Sequence, residues 1–209
     1  MWGKVENKKV TKIYRVPEFL KDSAGTTYPK AIFQDDTKLA NFGIYPVINT
    51  NSKPNYEELY NGVNESYAWN DKDKQVERTY NYSAKALDDT EAKDDDGKNI
   101  LDEDGNKVIN YGLKTILKSK VRSIQSNSLA TTDKWIIRKA DTNEDVPSTV
   151  VTYRKAIRDS ATTMETAITN AKDFEAILNL FKAEYNSDGT VKTPATLYNF
   201  PSVPNGMPE

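Results

Sequence analysis

At 209 residues the chain has room for one large or two small domains, and with 37% hydrophobic and 29% charged residues it is polar for a single compact fold. A net charge of −2 and a pI near 5.5 argue against a nucleic-acid backbone as ligand, since that affinity needs clustered Lys and Arg. Cysteine and histidine are both absent, which excludes disulfides, thiolate metal sites, thiol nucleophiles and imidazole proton transfer.

The Met-Trp-Gly-Lys start lacks the apolar core of a secretion signal, and no apolar run reaches membrane-spanning length. A soluble, cytosol-made chain with no membrane partner is expected. Residues 2–6 and 10–15 flank Asn7-Lys8-Lys9, a polar turn between β-branched and aromatic residues, and predict a hairpin. Residues 26–33 contain Pro29, which suits an edge or a bend. A short helix is predicted over 35–41, capped by Asp35 or Asp36 and followed by Gly43. An apolar strand, 44–48, comes next.

Residues 56–60, 65–69 and 75–83 are aromatic-rich and read as a second β unit, with Asn61-Gly62 and 70–73 as its turns. The alternation over 75–82 puts Val76, Arg78, Tyr80 and Tyr82 on one face of a strand. With twelve tyrosines in the chain, cross-strand aromatic pairs are expected to hold the sheets. Composition then breaks. Asp88, Asp89, Glu91, Asp94, Asp95, Asp96, Asp102, Glu103 and Asp104 crowd an exposed linker, with Asp-Gly turns at Gly97 and Gly105 and a small hairpin of 99–101 against 107–109.

From Leu113 the period becomes helical. Leu113, Leu117, Val121 and Ile124 share a face that either forms a homo-oligomer seam or packs on the next helix. That second helix starts at Pro147, runs to about 160, continues toward 170, and has Val150, Tyr153 or Arg154, Ile157 and Ala161 on its inner face. A third helix is predicted over 173–185, led by Asp173 and ended by residues 186–189, before an extended Pro-rich tail. The fold class is α+β: small antiparallel β modules at 1–50 and 51–87, an acidic linker or hairpin at 88–110, and a helical module with a short strand at 111–209.

Two clusters are candidate binding surfaces. Trp135, Arg138, Tyr153, Arg154 and Arg158 form the first. Arg154 and Arg158 lie four residues apart on a helix, where they would grip a carboxylate-bearing partner or pair internally with Asp141, Glu144 or Asp145. Trp135 is expected to pack on Ile157, which makes its segment structural. The second cluster, Tyr56, Tyr60, Tyr67, Trp69, Tyr80 and Tyr82, is either an aromatic platform for a protein or sugar, or ordinary sheet core. The acidic stretch fails the EF-hand pattern, since Ala92 or Ile100 stands where its first Asp belongs. No Gly-rich phosphate loop or nucleophile elbow is present. The reading is therefore non-catalytic, with no catalytic residue, metal or cofactor assigned.

Thr132-Asp133-x-Trp135, Ile137-Arg138, Val146-Pro147, Tyr153-Arg154-x-x-Ile157-Arg158 and Phe200-Pro201 with Pro204 resemble the C-terminal module of bacteriophage tail-assembly and tail-fibre-assembly proteins. That family carries a helix, a Thr-Asp-Trp turn, a basic strand, a Val-Pro step and a Tyr-Arg helix. Three departures stand out: Lys134 separates Asp133 from Trp135, Phe200 replaces a Trp before Pro201, and the segment from Ser160 to Thr193 is longer than in short family members. Met164 to Ile168 resembles a segment of marine phage structural proteins, and Trp2, Tyr28-Pro29 and residues 42–47 resemble the small β module that precedes the family's C-terminal part. The resemblance implies a virion tail subunit, or an assembly factor in the host cytoplasm, that binds tail or tail-fibre proteins. A fibre-tip or surface-decorating module contacting host glycans is the alternative.

Overall fold

The computed structural model describes residues 1–204, and the chain divides into two compact units, Met1–Ala84 and Lys85–Glu209. In the first unit, β1 (Trp2–Glu6) and β2 (Lys9–Tyr14) form the expected hairpin. Its two-residue turn puts Asn7 and Lys8 at φ 52° and 61°, the left-handed pair that matches strand twist. The short β3 (Leu20–Lys21) and β4 (Thr27–Tyr28) pair next. Pro29 then ends extension instead of continuing it to 33, because a 3₁₀ turn, Lys30–Gln34, takes over. Helix α1 (Asp36–Ala40) follows, and the Asp35 carboxylate caps it by accepting from the Lys38 amide at 3.1 Å.

Strand β5 (Ile44–Asn49) pairs antiparallel with β1 and parallel with β7 (Gln75–Ala84), which pairs in turn with β6 (Tyr60–Asn70). The order β2-β1-β5-β7-β6 makes one mixed five-stranded sheet. The modules expected separately at 1–50 and 51–87 are thus joined, and 56–60 is a 3₁₀ turn (Glu57–Leu59) leading into β6 rather than a strand of its own. Ion pairs from Arg15 to Glu65 (2.7 Å) and from Lys8 to Asp71 (3.0 Å) link the two edge strands at both ends. The sheet therefore curls on itself. Its core against α1 comprises Tyr14, Leu20, Ile32, Phe33, Leu39 and Ile44.

The second unit opens with the acidic stretch, which is ordered as a three-armed junction. Strands β8 (Thr90–Glu91) and β9 (Ile109–Asn110) close one arm. The Ala92 amide donates to the Val108 carbonyl (2.8 Å), Val108 to Ile100 (2.9 Å), and Ile100 back to Ala92 (2.9 Å). Each of the other arms ends in the same turn. The Asp94 carboxylate accepts from the Asp96 and Lys98 amides at 3.0 and 2.8 Å, and Asp102 accepts from Asp104 and Asn106 at the same two distances. Gly97 and Gly105 supply the left-handed residue at φ 78° and 81°. The hairpin expected between 99–101 and 107–109 is present as the Leu101–Lys107 bridge, one arm of the three.

Helix α2 (Leu113–Ala130) buries Leu113, Leu117 and Val121, and its first amides are capped by the Ala86 and Leu87 carbonyls at 2.8 and 3.0 Å. The close approach explains Gly112, where a Cβ would meet the Asp88 backbone at 2.4 Å. Helix α3 (Asp133–Thr142) follows after two residues. Helix α4 (Ser148–Asn170) is one continuous element and packs along α2, burying Val150, Tyr153, Ile157, Ala161, Met164 and Ile168.

Helix α5 (Phe174–Leu180) is capped by Asp173 at 2.7 Å, and ends earlier than its pattern suggests. The last two residues of the predicted helix are instead strand β10 (Glu184–Tyr185), which forms a hairpin with β11 (Val191–Thr193) beyond the predicted end. The cause is an Asn-Ser-Asp-Gly-Thr turn, in which Asp188 accepts from the Thr190 amide at 2.9 Å. The tail then returns to the helices: Leu197 is buried and its amide donates to the Leu180 carbonyl at 2.9 Å. No helix among the described residues is long and apolar enough to cross a membrane.

Candidate functional site

The residues singled out between 131 and 158 converge on Arg154. Its Nη1 donates to the Leu129 carbonyl (2.8 Å), the Thr132 hydroxyl (2.6 Å) and the Asp133 carboxylate (2.8 Å). Thr132 is fully buried, and its hydroxyl donates in turn to the Leu129 carbonyl at 2.8 Å. One buried cation on the second turn of α4 thus ties that helix to the C-terminal end of α2, where helix carbonyls lack partners, and to the first residue of α3. Trp135 and Tyr153 are buried beside this junction.

Three of the five expected partner-binding residues, Trp135, Tyr153 and Arg154, therefore hold the fold and present no free face. Arg138 and Arg158 remain exposed. The internal partner of Arg154 is Asp133, not Asp141, Glu144 or Asp145. Two of those acids serve other cations instead: Lys139 pairs with Asp145 at 3.0 Å, and Arg138 approaches Glu144 at 4.0 Å.

The basic strand implied at Ile136 to Arg138 is helical. That change exposes a surface the sequence pattern leaves unmarked. On a helix, Ile137 lies about 200° around from Trp135, so burying Trp135 turns Ile137 outward. Ile137 is 67% exposed, and Ile136 at 41% and Val151 at 53% add to it. Arg138 on α3 and Arg158 on α4 are exposed as well, so each of the two helices presents apolar side chains and a cation to solvent. A helical period applied across 133–142 is the signal that would have found it.

The aromatic cluster of the first unit is mostly consumed by packing. Tyr80 and Val76 are buried, the Tyr45 and Trp69 rings lie 4.5 Å apart, and Tyr60 meets Tyr82 at 5.0 Å. Tyr56 and Tyr82 are the more exposed members. At its centre, Glu65 accepts from the Tyr67 hydroxyl and from Arg15 at 2.7 Å, with Arg78 at 3.5 Å. Hydrogen bonding from Tyr67, then from Arg15, holds the Glu65 carboxyl below its ordinary range, while burial and then Glu65 itself push the Tyr67 phenol up. Glu65 is thus a carboxylate neutralised by two guanidiniums, beside a phenol that keeps its proton. That arrangement braces β6 against β7 and against the end of β2.

No family model, curated protein or solved structure matches this chain.

In the acidic segment Asp94 and Asp102 act as turn acceptors, Glu91 pairs with Lys107, and Asp88 and Asp89 are engaged at the start of α2. Among the described residues, no group of three or more acids converges on a point where a metal ion could sit.

Proposed function

We propose that the chain is a non-catalytic, tail-associated structural or assembly protein of a bacteriophage, and that it binds a tail or tail-fibre component through α3 and α4. One observation supports this most. The residues on which the family resemblance rests, Thr132, Asp133, Trp135, Tyr153 and Arg154, are those that build the helical junction. They position Ile136, Ile137, Val151, Arg138 and Arg158 outward beside it. Exposed apolar side chains flanked by Arg are a protein-docking composition. The sites of action that follow are the virion tail or the host cytoplasm during assembly.

The test is co-purification with the tail and fibre proteins of the source phage. Wild type is expected to retain one of them, and Ile137→Asp and Arg158→Glu to lose it with unchanged circular dichroism. A wild type that retains none, or variants that bind as well, would overturn the reading. Specific binding on a glycan array would move the function to the host-contacting alternative. Quantitative mass spectrometry of purified particles then separates a retained subunit from a transient factor.

A further inference from the structure

A second surface, distinct from the α3–α4 face, joins the acidic arms to the start of α2. Exposed apolar side chains concentrate there: Leu101 is 57% and Tyr111 64% exposed, and Ile100, Ile109 and Ile116 are also open. So dense a run within seventeen residues is unusual for a surface facing only water. Tyr111, Thr115, Ile116, Lys118, Ser119 and Arg122 line a groove of about 600 Å³ on the outer side of α2.

The charges on the two halves of this surface are opposite. Helix α2 contains four cations, Lys114, Lys118, Lys120 and Arg122, and no acid. Between residues 88 and 107, nine acids face three lysines. Part of this charge is already satisfied within the chain. Lys114 pairs with Asp88 at 3.0 Å, Arg122 with Glu165 at 2.8 Å, and Lys107 with Glu91 at 2.6 Å, while Lys120 lies over the Tyr198 ring. Among the described residues, Lys118 in the groove wall and the turn acids Asp95, Asp96, Glu103 and Asp104 form no ion pair, although after the Arg122 hydrogen bond the Lys118 charge also helps to lower the Glu165 carboxyl.

We infer that this surface is the interface of a two-fold dimer, in which each copy lays its acidic arms and Leu101 into the other's α2 groove. A two-fold contact needs one surface that complements itself, and an acidic half continuous with a basic half, both apolar, has that property. The homo-oligomer contact is thus not the Leu113–Leu117–Val121 stripe, which is buried in the helical unit.

Sedimentation velocity of the full chain across a concentration series tests this. At low salt, wild type is expected to form dimers and nothing larger, and raising the salt to weaken them roughly tenfold by screening. Leu101→Asp and Tyr111→Asp should give monomers with unchanged circular dichroism. Lys118→Glu alone, or Glu103→Lys with Asp104→Lys, should weaken the dimer, and combining all three changes should restore it. A wild type that stays monomeric, assemblies beyond a dimer, or a dimer indifferent to these substitutions would each overturn the inference.

Discussion

An arginine–carboxylate cluster ties segments together in each unit, and the two clusters are built on opposite plans. In the second unit a single buried cation, Arg154, serves a main-chain carbonyl, a hydroxyl and a carboxylate from a connecting segment. In the first, a single carboxylate, Glu65 on β6, is shared by Arg78 on the hydrogen-bonded neighbour β7 and by Arg15, which follows β2 at the opposite edge of the sheet. The first arrangement creates tertiary structure where backbone bonding has stopped. The second reinforces a strand pair that the backbone has already made and adds an exposed tie between two edges that it leaves unpaired. Removing the centre of each should therefore have unequal consequences.

The largest expected effect follows. Arg154→Met should cost about 2–4 kcal/mol, because it removes three charge-assisted hydrogen bonds and leaves Asp133 without its cation, while the Thr132 hydroxyl keeps only its bond to the Leu129 carbonyl. Arg154→Lys should recover only part of this, since an ammonium on a flexible stem does not reproduce the planar fork. Urea unfolding measures the loss. Amide exchange should place it in residues 129–135, with the first unit's protection retained; loss spread evenly over both units would break the comparison.

A contrast of glycines sharpens the same point. A Cβ at Gly112 would meet the main chain of Asp88 at 2.4 Å, whereas one at Gly3 would meet the Val76 side chain at 2.7 Å. Backbone that caps α2 cannot rotate away, so Gly112→Ala should cost about 2–3 kcal/mol and Gly3→Ala about 1. Equal losses in thermal melts would mean that the capping segment of 86–88 is free to shift. Below these comes Glu65→Gln, expected at about 1 kcal/mol, because Arg15 is 65% exposed and Arg78 keeps Asn49 at 2.8 Å.

What the sequence discloses follows the range of the interaction that decides each element. The Asp35 and Asp173 caps, the Asn7–Lys8 hairpin and the faces of α2 and α4 are set by residues within a few positions, and the patterns there locate them. The parallel pairing of Val47 with Val76 joins segments 29 apart and leaves no local mark, so one sheet reads as two. Helix α3 is misleading for another reason. Trp-Ile-Ile has strand propensity, and only the tertiary burial of Trp135 and the Arg154 contact override it. The arms carry a signal of an unsought kind, an eight-residue repeat that places Ala92, Ile100 and Val108 in phase and Asp94 with Asp102. Of the candidate site, the resemblance located the junction. It did not disclose which side chains point outward, because exposure depends on the helical period of a segment that reads as a strand.

The smallest expected effect concerns the clasp of the curled sheet under acid. Hydrogen bonds from Lys74 and then Lys8 lower the Asp71 carboxyl to about 2. A carboxyl whose folded value is depressed stabilises the fold above its unfolded value, near 3.9, and that contribution is lost as pH falls through the folded value. The Asp71 contribution should therefore be complete at neutral pH and disappear between about pH 4 and 2. Glu65 is shifted in the same direction and adds to the same acid limb. The urea midpoint of wild type should fall over this window, and that of Asp71→Asn should fall less, so that the two curves converge at the acid end. Lys8→Met should reproduce part of the difference by releasing the tie between the β1–β2 turn and the end of β6. Parallel curves for wild type and Asp71→Asn would mean that hydrogen bonding alone closes the sheet, and that its edge ion pairs follow the curl without helping to hold it.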